Sequence, residues 1–329
     1  MLSRYIQRRW YQPVDFVTLL LLPFSIVFCG LSAIRRLLYK ADILKSVKLP
    51  VPVIVVGNIN IGGTGKTPLV IAIVQHLKAQ GLSPGVVSRG YGGKSRTWPQ
   101  SVTHESDPLQ TGDEAVVVAN RCRCPVSVGP DRVAAAQALL ASHACNVIVS
   151  DDGLQHYALR RDIEIVVIDG VKRFGNGLCL PAGPLRELPT RLKSVDFVVA
   201  NGASSDNEFS MELKSYAFHH VSDDSQLKPL NAFEGQNVYA VAGIGNNDRF
   251  FEGLRRLGID PEPHSFPDHY RYKRRDVTFK DQQPVLMTEK DAVKCRRFSG
   301  IDAWYLRVDA LLSNQFYQQL NERLRKFNG

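Results

Sequence analysis

The residues best suited to chemistry fall in one run, N-I-N-I-G-G-T-G-K-T-P, between Asn58 and Pro68. Gly62, Gly63 and Gly65 carry no Cβ, so backbone N–H groups from Gly62 to Thr67 can close around a phosphate. Thr64 completes that turn. Lys66 can reach the outer phosphates, and Thr67 offers a hydroxyl to Mg²⁺. The helix expected over residues 67–80 adds its N-terminal dipole, and Pro68 suits its first turn. The pattern G-x-x-x-x-G-K-[ST] opens on glycine, whereas this chain has Asn60 there. Asparagine tolerates left-handed geometry better than most residues, so the turn is still open to it. A loose glycine-rich loop with a chance Lys-Thr is the bland alternative. The apolar strand before the run and the amphipathic helix after it favour a nucleoside triphosphate site with Mg²⁺.

Other polar residues stand where such a site needs them. Asp151 and Asp152 close the apolar run N-V-I-V-S, the place of a metal-binding carboxylate after a P-loop. A turn pair is the ordinary reading of two such residues. Gln155 and His156 follow, able to hold substrate or nucleotide, although each alone is more often a surface residue. Asp113 and Glu114, in T-G-D-E, suit a helix N-terminus. As chemistry, Asp113 can take a proton from an attacking hydroxyl and Glu114 can contact Mg²⁺. His269 stands in F-P-D-H-Y, where a lone histidine is usually structural. Arg186, in the rigid P-A-G-P-L-R-E, suits a phosphate or a transition-state charge. Arg132 can do the same or face solvent.

These groups need a scaffold. Apolar runs at 84–88, 125–128, 146–150, 163–168 and 196–200 alternate with helical patterns at 112–120 and 131–142. Continuous apolar runs between helices predict an α/β fold, a mostly parallel sheet covered on both faces. Residues 95–111 read as a long mobile loop. A second αβ pattern follows the polar stretch 221–235, with strands at 238–242, 285–288 and 304–308 and helices at 247–257, 289–297 and 313–326. The expected organisation is an N-terminal helix (1–40), a P-loop domain (41–220), a linker (221–235) and a smaller C-terminal α/β domain (236–329).

The chain has 329 residues and a net charge of +9, which points to an anionic partner such as a membrane surface or a phosphorylated substrate. No nucleic-acid-binding motif is present in the sequence, so nucleic acid ranks last among those partners. The six cysteines show no disulfide framework, and Cys122-x-Cys124 lacks a second pair to make a zinc set. Residues 16–34 carry no charge and as a helix would be about 28 Å long, close to the hydrocarbon thickness of a bilayer. Arg4, Arg8 and Arg9 flank them on one side, and Arg35, Arg36 and Lys40 on the other. Spanning anchor, one-face insertion and apolar core helix all fit. Membrane association is favoured, with depth left open, and the triphosphate site must face the cytosol.

Taken in order, N-x-x-x-G-G-T-G-K-T-P, S-R-G-Y-G, G-D-E, G-x-x-R, D-D-G-x-Q-H, P-A-G-P-L-R-E, D-H-Y and T-E-K-D-A-V-K resemble the tetraacyldisaccharide 4'-kinases, the lipid A 4'-kinases of Gram-negative bacteria. The resemblance runs from the N-terminal helix to about Lys294, and Asn60 is normal in that family. It implies transfer of the γ-phosphate of ATP to the 4'-hydroxyl of a tetraacyldisaccharide 1-phosphate, giving lipid IVA at the cytoplasmic face of the bacterial inner membrane. It further implies that Asp113 and His269 form a base dyad, and that Arg186 and Arg132 neutralise charge on the transferred group. Thr67, Glu114, Asp151 and Asp152 would surround the metal. Arg89, Tyr91, Gln155, His156 and Glu187 would lie with the acceptor. A membrane-anchored P-loop switch or assembly factor is the rival reading; it needs no base for a substrate hydroxyl. A soluble small-molecule kinase with a core N-terminal helix is a third.

Overall fold

The computed structural model describes residues 6–7 and 9–327. Arg4 and Arg8 lie outside them. Two sheets carry the fold. The first has nine strands, ordered by residue range as 309–312, 209–214, 197–201, 163–169, 53–57, 147–151, 84–88, 126–128 and 100–102. Its seven middle strands pair in parallel, and the two edge strands pair antiparallel. The central strand β1 (Val53–Gly57) is fully buried, as its unbroken apolar run requires.

Helices cover both faces. Lys66–Ala79, Asp113–Cys122 and Asn314–Arg325 bury their apolar sides in one core with Ile54, Val56, Val149 and Ile165. Arg132–Ser142 packs on the opposite face with Val53, Val55 and Ile148. Side chains alternate across a strand, so β1 feeds both cores.

The second sheet has six strands, in the order 227–229, 217–220, 303–306, 285–288, 239–242 and 262–265. It begins at Ala217, inside the stretch expected to belong to the P-loop domain. Residues expected to be linker include its edge strand Leu227–Pro229. The last helix and the strand before it return to the first sheet, where Phe316 packs on Phe197 and Phe209. Short edge strands have polar, half-exposed sequences and leave little periodicity to read. The expected loop 95–111 likewise contains a strand, Gln100–Val102, and a helical turn, Pro108–Thr111.

The N-terminal helix α1 runs from Phe16 to Lys40, with Pro23 inside it. It is not a core helix: only Thr18 and Ser25 are buried, while Phe16, Phe24, Leu31 and Leu37 are more than 60% exposed. Charge-free over most of its length, it is a candidate membrane anchor.

Candidate active site

The parallel strands end in loops along one edge of the first sheet, and those loops hold the site. After β1 the chain turns through Gly62 and Gly65, both at positive φ, into α2 (Lys66–Ala79). A Cβ on Gly62 or Gly63 would meet nothing within 4 Å, so the cradle is open on that side. Asn60 departs from expectation. It is absent from the positive-φ residues; it bridges to Leu185 and donates its amide to the Arg173 carbonyl at 2.7 Å. Its place thus depends on pairing with the loop 179–187, not on a left-handed turn. Two asparagines not singled out from sequence steady the cradle. Asn58 sits 3.4 Å from the Gly62 carbonyl and the Thr64 hydroxyl, and Asn201 donates to the Thr64 carbonyl at 3.1 Å.

Lys66 lies 3.6 Å from Asp152, which also receives Arg186 at 3.2 Å. Burial opposes ionisation of Asp152, but Lys66 and Arg186 outweigh it and hold the carboxyl below its ordinary range. Its neighbour behaves oppositely. Asp151 is pushed up to about 7 by burial first, then by the charges of Glu114 and Asp152. Its Oδ1 is buried with no hydrogen-bond partner. An orphaned carboxylate oxygen among like charges fits a divalent cation. Among the described residues no three His, Cys, Asp or Glu side chains form a ready metal cage. Mg²⁺ needs none, because it keeps waters and takes substrate phosphates.

The second sheet supplies the rest. His269 Nδ1 and Asp113 Oδ2 are 3.1 Å apart, joining a loop after the second sheet's strand 262–265 to the first residue of α3 (Asp113–Cys122). His269 has φ +57, a conformation that costs a non-glycine residue energy and gathers at functional sites. Gly92 explains S-R-G-Y-G: a Cβ there would stand 2.7 Å from His269 Nδ1. Tyr91 meets the same imidazole edge-on at 5.0 Å. Burial disfavours the Asp113 carboxylate, yet the hydrogen bond from His269 and the charges of His269, Lys290 and Lys294 hold its pKa below the usual range. The same bond raises His269.

Lys290 and Lys294 were not picked out from sequence as site residues, although T-E-K-D-A-V-K contains both. They stand four apart on the helix α4 (Glu289–Cys295) and so share a face. Lys290 pairs with Glu114. Lys294, buried, lies 2.8 Å from Asp291 and 3.7 Å from Asp113. Asp291 in turn accepts from the Gly243 backbone, Tyr272 and Thr288.

Other expected residues fall into supporting places. Arg132 is buried, and its guanidinium donates to the carbonyls of Gly129, Pro130 and Asp152, so it braces the backbone beneath the acid pair. Burial lowers its pKa to about 10. His156 accepts the Arg132 backbone N–H at 3.2 Å and is held neutral, near 4, by burial and by Arg132. Gln155 links the Asn58 carbonyl to Glu187, and buried Glu187 also receives Tyr157 and Arg191. Arg89 is exposed. All six cysteines are free thiols.

A phosphate cradle, paired acids beneath it and a second set of groups delivered by a smaller sheet define a P-loop phosphotransferase. Comparison narrows the class. The model of the family described as tetraacyldisaccharide-1-P 4'-kinase matches residues 17–325, and the chain belongs to that family. It is 51% identical to the tetraacyldisaccharide 4'-kinase of Nitrosococcus oceani, over 98% of this chain and 95% of that one. The enzyme of the same name from Hahella chejuensis is 47% identical over 98% and 97%. Among solved structures, LpxK from Aquifex aeolicus in complex with ATP superposes with a TM-score of 0.82 at 28% identity, covering 95% of this chain and 99% of that one.

Proposed function

We propose that the groups assembled here carry out the family's reaction. The chain is an ATP-dependent tetraacyldisaccharide 4'-kinase of lipid A biosynthesis. The γ-phosphate of ATP passes to the 4'-hydroxyl of a tetraacyldisaccharide 1-phosphate. One observation carries the assignment of roles: the 3.1 Å contact between Asp113 and His269 across two sheets. A P-loop switch has no use for it, whereas a kinase needs a group to take the acceptor's proton.

Gly62 to Thr67 cradle the phosphates, and Lys66 draws charge from the outer ones. Arg186 moves from its carboxylate partner toward the transferred phosphoryl, where its positive charge offsets the charge that develops. Thr67 and Asp151, with Glu114 or Asp152, would hold Mg²⁺, which would supply positive charge to offset that of the phosphates. Asp113 accepts the hydroxyl proton, with His269 orienting it. A depressed pKa is no handicap in a loose transition state, where the hydroxyl proton leaves late. Tyr91, beside the dyad, and exposed Arg89 would meet the acceptor, while Gln155, His156 and Glu187 would support the site through the bonds described above.

The acceptor's acyl chains leave a bilayer only at about 0.8 kcal/mol per CH₂, so the enzyme must work at the membrane. The exposed apolar face of α1 provides the attachment, and ATP places the site at the cytoplasmic face of the inner membrane. The test is an ATP assay with and without the lipid acceptor, followed by a double-mutant cycle on kcat. Asp113→Ala and His269→Ala should each lower kcat by roughly 10²- to 10⁴-fold with little change in KM for ATP. The double variant should be scarcely worse than either single one. Fully multiplicative losses would assign the two residues independent roles and end the dyad reading.

A further inference from the structure

The N-terminal helix is amphipathic in an inverted sense. Flanked by half-buried Val17, Leu21 and Leu38, its inward seam is Thr18, Leu22, Ser25, Cys29, Ser32, Arg36 and Tyr39, all buried or half-buried. They alternate spacings of four and three, the spacing of a helix seam held against a partner along its length. Most of these residues are small or polar, while the outward positions are large and apolar. A helix that only anchored the enzyme would need no such seam.

The middle of the seam meets the loop 179–187, which also carries Arg186, while Tyr39 at its end meets Tyr157. Ser25 donates to the Cys179 carbonyl at 2.7 Å, and this bond is buried. Ser32 lies 3.3 Å from the carbonyl of Arg186 itself. Just before the helix, Trp10 donates to the Pro181 carbonyl at 3.0 Å. Arg36 reaches Ser194 at 2.9 Å. The other edge of the loop is zipped to the phosphate cradle. The Arg186 N–H donates to Ile59 at 2.6 Å, the Ile61 N–H donates to Pro184 at 2.8 Å, and Asn60 bridges to Leu185. One layer of backbone therefore separates the membrane-facing helix from the P-loop. A buried loop carbonyl left without its donor costs free energy, and moving the loop to find another partner would pull on the cradle bonded to its other edge.

We propose that Ser25 and Ser32 are positioning residues for the kinase reaction: α1 sets the place of Arg186 and of the first half of the P-loop, in addition to attaching the enzyme to lipid. This rests on the reading of Arg186 as the group that meets the transferred phosphoryl.

The test uses the full chain carrying Ser25→Ala and Ser32→Ala together. Co-sedimentation with phospholipid vesicles and KM for the lipid acceptor should match the parent. kcat should fall at least about ten-fold, toward the hundred-fold that a misplacement of about 1 Å costs, and calorimetry should show weaker ATP binding. Ser25→Thr, which keeps the hydroxyl, with Ser32 intact should recover most of the loss. Unchanged kcat and ATP affinity would overturn the proposal, and so would losses that merely track release from vesicles. Arg186→Ala separates the two readings. If it leaves kcat intact, the role of Arg186 fails, while weakened ATP binding in the serine variant would still report the link to the P-loop.

Discussion

Replacing Gly92 by alanine tests whether the position of His269, and not merely its presence, matters. The new Cβ would stand 2.7 Å from Nδ1, 3.0 Å from Cγ and 3.2 Å from Cε1, where ordinary contact begins at 3.4 Å. The imidazole must therefore retreat by about 0.7 Å, the difference between the first and last of these distances. Its hydrogen bond to Asp113 is 3.1 Å long, so a retreat along that axis would stretch it to about 3.8 Å, beyond hydrogen-bond range. A misplacement of nearly 1 Å costs about 10²-fold in rate. Complete removal of a general base costs at most about 10⁴-fold, which sets the ceiling. The backbone adds a separate cost. At φ +81 an alanine is about 1–2 kcal/mol worse off than glycine. The assay is steady-state kcat and KM for ATP with the lipid acceptor, alongside a thermal melt. Gly81→Ala is the control: φ is +79 and nothing lies within 4 Å of its Cβ, so it carries the backbone cost alone. A folded Gly92→Ala enzyme with kcat within about three-fold of the parent would refute the claim that the close approach of Gly92 fixes the imidazole.

Lys66→Ala should abolish nearly all phosphoryl transfer and leave the circular dichroism spectrum unchanged; near-normal turnover would remove the nucleotide-site assignment. Asp151→Asn should alter the pH dependence of stability. In the folded chain Asp151 titrates near 7 against an ordinary value of 3.8, so between those values it holds a proton that the unfolded chain has lost. Stability without metal therefore falls as pH rises through that window, by at most about 4 kcal/mol. Melting curves from pH 4 to 8 should show the slope flattened in the variant, with Mg²⁺·ATP stabilising the parent more at pH 8; identical slopes would contradict the burial argument. Deleting residues 1–40 should move the protein from the membrane pellet toward the soluble fraction, and continued full sedimentation would show that another surface holds it.

The cradle, the acid pair and the parallel sheet were legible in the sequence because each is local. Gly62 to Thr67 form a phosphate site from consecutive backbone groups, and Asp151 is marked by the apolar run that it ends. The apolar run of α1 could likewise be read from its lack of charge, but its exposure could not, because a core helix fits the same run. Three things needed the tertiary structure. The sheets exchange chain near Ala217 and again near Asp309 because edge strands pair through backbone groups, and their side chains advertise little. Lys290 and Lys294 carry no mark of function in the sequence beyond their place in T-E-K-D-A-V-K; their role depends on that helix docking on Asp113 and Glu114. The resemblance implied that Asp113 and His269 act together, but the 3.1 Å between them is a property of two sheets in contact. Local sequence sets which groups can donate, accept or carry charge; the distance between groups 156 residues apart is set by the packing that closes the chain around them.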